Sequence, residues 1–177
     1  MVIALYLLLA FGATKPNSPH VWTYRAPGCG IQVSNPQIVS LRFESPGHDC
    51  SDVSATFRDR NGTEHILVLE LFRGRLEDAP RLSTLSWRYN HGKWTFTSQS
   101  VRVQEKKTAL WVAEIGEAQA GCSSDSGEHY TEFAYGAIVS DGRQLAVIDG
   151  GSCHEQDEDG LNMFLDGFRF IAPGTRR

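Results

Sequence analysis

Residues 121–168 read GCSSDSGEHYTEFAYGAIVSDGRQLAVIDGGSCHEQDEDGLNMFLDGF, and the reading of this stretch decides the fold. At its centre, Ser140-Asp141-Gly142-Arg143 has the chemistry of a two-residue hairpin turn, because Asp-Gly tolerates the positive φ values of a type I′ turn. Closing it with Ser140 against Arg143 sets Tyr135 opposite Ile148 and Ile138 opposite Leu145. Apolar side chains then fall on both faces: Ile138, Leu145 and Val147 on one, Tyr135, Val139 and Ile148 on the other. A strand pair that is apolar on both sides belongs inside a sheet. Continued outward, the same register sets Tyr130 opposite Cys153 and His129 opposite His154, with Cys122 just beyond.

On the C-terminal side the period changes. Leu161, Phe164, Leu165 and Phe168 recur at helical spacing. Asp157, Glu158 and Asp159 supply the negative charge that a helix start favours. A helix beginning near Asp157 and stopping at Gly167 is expected, followed by a short closing strand.

On the N-terminal side the strands alternate with turn signals. Strands are expected over residues 20–24, 31–34 and 38–43, with a turn at 26–30 between the first two. Arg60-Asn61-Gly62-Thr63 is a second hairpin signal, whose register pairs Phe57 with Ile66 and Ala55 with Val68. A third hairpin turns at residues 90–93 between aromatic arms that carry Trp87, Tyr89, Trp94 and Phe96. Residues 104–107 read as another turn, residues 109–115 as a strand, and the Gly-, Ala- and Ser-rich residues 116–127 as a connection. The whole is mainly β, an antiparallel meander forming a sheet or sandwich, with one C-terminal helix packed on it.

Residues 2–13 are apolar and uncharged but too short to cross a bilayer. With Ala10-Phe11-Gly12 as a small-x-small cleavage site, residues 1–13 read as a signal peptide and 14–177 as a single β-rich domain. No cysteine follows the apolar segment, so no lipid anchor is expected. Four cysteines fit an oxidising, periplasmic or secreted location. Of the three pairings open to them, Cys29 with Cys50 and Cys122 with Cys153 close the most local loops. The net charge of −4 is uneven: residues 114–166 hold twelve acids and one base, for a net −11. Such a segment is a poor surface for nucleic acid and a better one for a cationic protein or a metal ion.

No nucleophile elbow, zinc-protease helix, phosphate-binding loop or dinucleotide fingerprint is present. Neither catalytic residues nor a cofactor are expected. An alternative places a metal-dependent hydrolase or metal carrier on His129 and His154, brought together by the hairpin register, with Asp157 nearby. The favoured surface is instead the loop at 121–127. Ser123, Ser124, Asp125 and Ser126 are small and polar, Glu128 adds charge, and a Cys122 staple would hold them in place. A loop ordered beforehand loses less entropy on docking.

The run Gly121-Cys122-Ser123-Ser124, in an exported, disulfide-bearing, β-rich chain of this size, resembles periplasmic immunity proteins that neutralise peptidoglycan amidase effectors of type VI secretion. The resemblance implies an inhibitor whose serine-bearing loop, at Ser123 and Ser124, enters the catalytic cleft of a secreted cell-wall-degrading enzyme.

Overall fold

The computed structural model describes residues 21–44, 50, 53–78, 86–90, 93–97, 101–124, 126–152 and 156–172. Seven strands form one antiparallel sheet, in the spatial order β3 (Ile38–Glu44), β4 (Val53–Asp59), β5 (Glu64–Arg73), β11 (Gln144–Ser152), β10 (His129–Ser140), β9 (Val112–Ser123) and β8 (Val101–Lys107). A small second sheet pairs β2 (Ile31–Val33) with β1 (Tyr24–Ala26) and β12 (Phe168–Phe170). The strands β6 (Ser86–Asn90) and β7 (Lys93–Thr97) form a separate hairpin, and α1 spans Glu158–Gly167. The fold is thus mainly β with one late helix, and the doubly apolar β10 and β11 lie in the interior of the large sheet. The first strand begins at Tyr24, later than the expected residues 20–24.

Three turns are held by a side chain; two shift the strand register from the expected one, and the third moves the turn itself. At β10–β11, Asp141 Oδ1 accepts from the amides of Arg143 (2.8 Å) and Gln144 (2.7 Å). The Ser140 hydroxyl accepts from Gly142 N at 3.0 Å, and Gly142 takes φ +86°. This wider loop closes Ser140 on Leu145, so that Ile138 meets Val147 and Ala137 meets Ile148. The expected pairs were two residues short. An even slip leaves every side chain on its own face, so the core prediction survives: Ala137, Val139, Ala146 and Ile148 are buried.

The slip at β4–β5 is odd and has larger consequences. Asp59 Oδ1 accepts from the amides of Asn61 (2.9 Å) and Thr63 (2.8 Å), with Gly62 at φ +87°. Phe57 therefore pairs with His65 and Ala55 with Leu67, one residue from the expected register. A one-residue slip turns a strand over. Ile66 and Val68, expected inside, are 56% and 38% exposed, while His65 is buried at 5%.

At the third turn, Thr108 Oγ1 accepts from the amides of Leu110 and Trp111, each at 3.1 Å. The reversal therefore falls at 108–111 and not at 104–107. It lets β9 run on through residues 116–123, which were expected to be a connection. Gly and Ala are weak strand formers, but β8 and β10 pair with this stretch from either side and override that preference.

The inner face of the sheet carries Val53, Ala55, Phe57, Leu67, Leu69, Ala137, Val139, Ala146 and Ile148. Leu161, Phe164 and Leu165 of α1 pack against it, together with Ile31, Val33 and Phe168 of the small sheet. Phe164 is 0% exposed, 6.2 Å from the Phe57 ring and 5.7 Å from Phe168. Burying such a ring stabilises by roughly 2–3 kcal/mol. The helix ends against backbone: Ser34 N donates to Gly167 O at 2.9 Å, and a Cβ on Gly167 would lie 2.8 Å from Ser34 O. Only glycine fits there.

Cys29 and Cys50 are joined by a disulfide. Cys122 is also disulfide-bonded. Cys153, its expected partner, lies outside the described residues, as do Asp125 and His154. No described helix is long and apolar enough to cross a membrane.

Candidate functional site

The β9–β10 ladder continues past the hydrogen-bonded pairing with β8 and β11, and β6 lies close beside β9. Pairing with β8 reaches only to Ala118, and pairing with β11 begins at Ala134. The rungs from Gln119 opposite Phe133 to Ser123 opposite His129 have no third strand hydrogen-bonded beside them among the described residues. At ~3.4 Å per residue they form a ribbon about 15 Å long. The ribbon is tied at one rung, where Cys122, disulfide-bonded, lies opposite Tyr130.

Its tip is ordered from within. Ser124 N donates to Glu128 O and Gly127 N to Ser124 O, both at 2.9 Å. The Ser124 hydroxyl shares a 2.7 Å hydrogen bond with that of Ser126 and accepts from Glu128 N at 3.2 Å. Ser124 is therefore the organiser of the turn. Ser123, Ser126, Glu128 and His129 are exposed and free to meet another molecule. The loop expected at 121–127 is narrower than predicted, because Gly121, Cys122 and Ser123 belong to β9. A recess beside the tip is lined by Ser124, Glu128, His129, Tyr130 and Glu132, and Glu132 Oε2 is buried without a hydrogen-bond partner.

His129 faces Ser123 across the ribbon. Asp157 is engaged elsewhere, so these two metal candidates are not brought together. Among the described residues no three His, Cys, Asp or Glu side chains are placed to hold one ion.

What engages Asp157 is a second polar constellation, missed by the sequence reading. The Asp157 carboxylate accepts from His65 Nδ1 at 2.9 Å and, as N-cap of α1, from Gly160 N at 2.8 Å. On the other side of the imidazole, Nε2 stands 3.9 Å from Asp59 Oδ2 without a hydrogen-bond partner. Phe57 stacks on the ring at 4.8 Å. This clasp ties the β4–β5 turn to the helix start through one buried histidine. Burial works to raise the Asp59 carboxyl, but the amides of Thr63 and Asn61 and the nearby His65 hold it below its ordinary value.

Beside the clasp, β11 parts from β5. Asp149 is the last β11 residue paired with β5, opposite Val68. Its Oδ1 accepts from Gly151 N at 2.8 Å, and its Oδ2 is buried without a partner. Burial pushes this carboxyl up to about 7, Gly151 N–H works against the rise and Glu70 adds to it.

Comparison with known proteins finds no matching family model, no matching curated protein and no matching solved structure. A signal for the clasp was present in the sequence: an Asp two residues before Asn-Gly, placed to cap its turn. It would have shown that the loop is wider than two residues. Nothing local marked His65, whose burial follows from that turn together with the distant helix cap.

Proposed function

We propose that this is an exported protein-binding protein, an inhibitor or immunity protein that blocks a partner enzyme's cleft with the tip of the β9–β10 arm. The observation that carries the reading is the arm itself: a two-stranded, disulfide-bonded ribbon whose turn is organised internally by Ser124. Such a tip needs little ordering on docking, so less binding free energy is lost to entropy. Small exposed side chains at Ser123 and Ser126 suit a narrow cleft, while Glu128 and the acidic segment behind it draw a cationic rim by long-range attraction. A secreted cell-wall-degrading amidase is the partner class that the resemblance at Gly121-Cys122-Ser123-Ser124 supports.

A photo-crosslinking side chain at position 123, with a control at exposed Arg42, tests this in a periplasmic or secreted extract. The arm should capture an enzyme whose activity the wild-type protein then abolishes. Ser123→Trp should weaken that inhibition by at least about tenfold, on the order of 1.4 kcal/mol. Inhibition equally strong in the variant, or capture from position 42 alone, would place the interface elsewhere.

A further inference from the structure

The turn between β4 and β5, residues 59–63, carries side chains that neither the arm nor the clasp uses. Of the chain's five asparagines, Asn61 alone stands in the pattern Asn-x-Ser/Thr with x other than Pro, as Asn61-Gly62-Thr63. All three residues are exposed. The space around them is open, since a Cβ built on Gly62 would meet nothing within 4 Å.

Turn chemistry accounts for only part of this pattern. Glycine suits position 62, where φ is +87°, and Asn-Gly is a favoured turn pair. Thr63 enters the turn through its backbone: its N–H donates to Asp59 Oδ1 at 2.8 Å, and its carbonyl accepts from Asp59 N at 3.0 Å. Any residue but proline supplies those two groups. The turn therefore leaves the threonine hydroxyl unexplained.

We propose that Asn61 is an N-glycosylation acceptor that carries an oligosaccharide on Nδ2. The proposal rests on the export reading, because this modification belongs to surface loops of exported chains. The co-substrate is an oligosaccharide held on a lipid diphosphate. Asn61 Nδ2 attacks the anomeric carbon of the sugar, and the new N–C bond forms as the C–O bond to the diphosphate breaks. The lipid diphosphate leaves with the electron pair, and Nδ2 gives up one proton.

The hydrogen bonds of the turn accommodate the product. An asparagine Nδ2 carries two hydrogens, and here it donates to Asp59 Oδ2 at 3.3 Å. The glycosylated amide keeps one N–H for that acceptor. Asp59 Oδ1 meanwhile accepts from the backbone amides of Asn61 and Thr63, which the sugar does not touch. The added sugar is bulky and hydrated, and an exposed hairpin tip has room for it.

The full chain with its leader, exported from a cell that has such a transferase, tests the site by mass mapping of the peptide that carries residue 61. A sugar mass is expected on wild type and on Thr63→Ser, and none on Thr63→Ala. Both variants keep the backbone bonds of the turn, so only the hydroxyl separates them. Deleting residues 1–13 should hold the protein in the cytosol and leave Asn61 bare. Wild type retained in the cell with its leader uncleaved would overturn the export reading and this proposal together. Exported wild type that is bare at Asn61 would overturn this proposal alone. So would equal occupancy in Thr63→Ala, or a bare Asn61 in protein taken from its natural source.

Discussion

The β9–β10 arm and the His65 clasp use the same bond, a side-chain oxygen accepting from backbone N–H, in opposite surroundings. At the arm's tip Ser124 orders a turn whose neighbours Ser123, Ser126 and Glu128 are in water. In the clasp, Asp157 caps a helix and holds a histidine that is 5% exposed. Removing the first bond lets water replace it. Removing the second leaves a buried donor without a partner, which costs more than the bond contributed. The clasp is thus expected to govern stability, and the arm to govern recognition.

Asp157→Ala should break this comparison most visibly, since it removes the N-cap (about 1 kcal/mol) and strands His65 Nδ1 (about 1–3 kcal/mol). A loss of on the order of 3 kcal/mol in urea unfolding is expected; a loss below about 1 kcal/mol would mean that the clasp is not a stability element.

Asp149 sharpens the contrast through pH. Its folded carboxyl lies at about 7, above the ordinary ~3.9 of an unfolded chain. Between those values the folded protein holds a proton that the unfolded chain has lost, so stability falls as pH rises through the window. Unfolding measured at pH 5 and at pH 8 should differ by on the order of 2 kcal/mol from this group, with pH 5 the more stable. Asp149→Asn should flatten that slope. An unchanged slope would remove Asp149 from the account.

Gly160→Ala gives a smaller effect whose sign is informative. In an ordinary helix interior the change gains about 1 kcal/mol. Here the added Cβ would overlap the Asp157 carboxylate, which His65 and the cap hold in place. A net loss of about 1 kcal/mol is expected on thermal melting, and a gain would show that the clasp yields freely. Ser123→Trp, at an exposed arm position, should shift stability by no more than about 0.5 kcal/mol while weakening the proposed inhibition at least about tenfold. A large stability loss there would make the arm part of the folding unit.

The sequence by itself determined the β-rich class, the interior place of residues 134–148 and the helix with its acidic start at Asp157; it favoured the Cys29–Cys50 bridge among three pairings, and the structure decided it. These follow from local chemistry: alternating apolar residues, turn glycines, helical spacing and a favourable dipole. Register was legible only where an error left the faces unchanged. At β10–β11 the two-residue slip kept Ala137, Val139, Ala146 and Ile148 inside. At β4–β5 both faces of residues 64–69 carry apolar side chains, so the pattern alone had no preference between His65 and Ile66. Tertiary structure decided it. The Asp59 turn sets the slip, and α1 brings Asp157 to meet the inward-facing histidine across 92 residues of chain. No local pattern encodes a contact at that separation, because its partners share no element until the helix packs on the sheet.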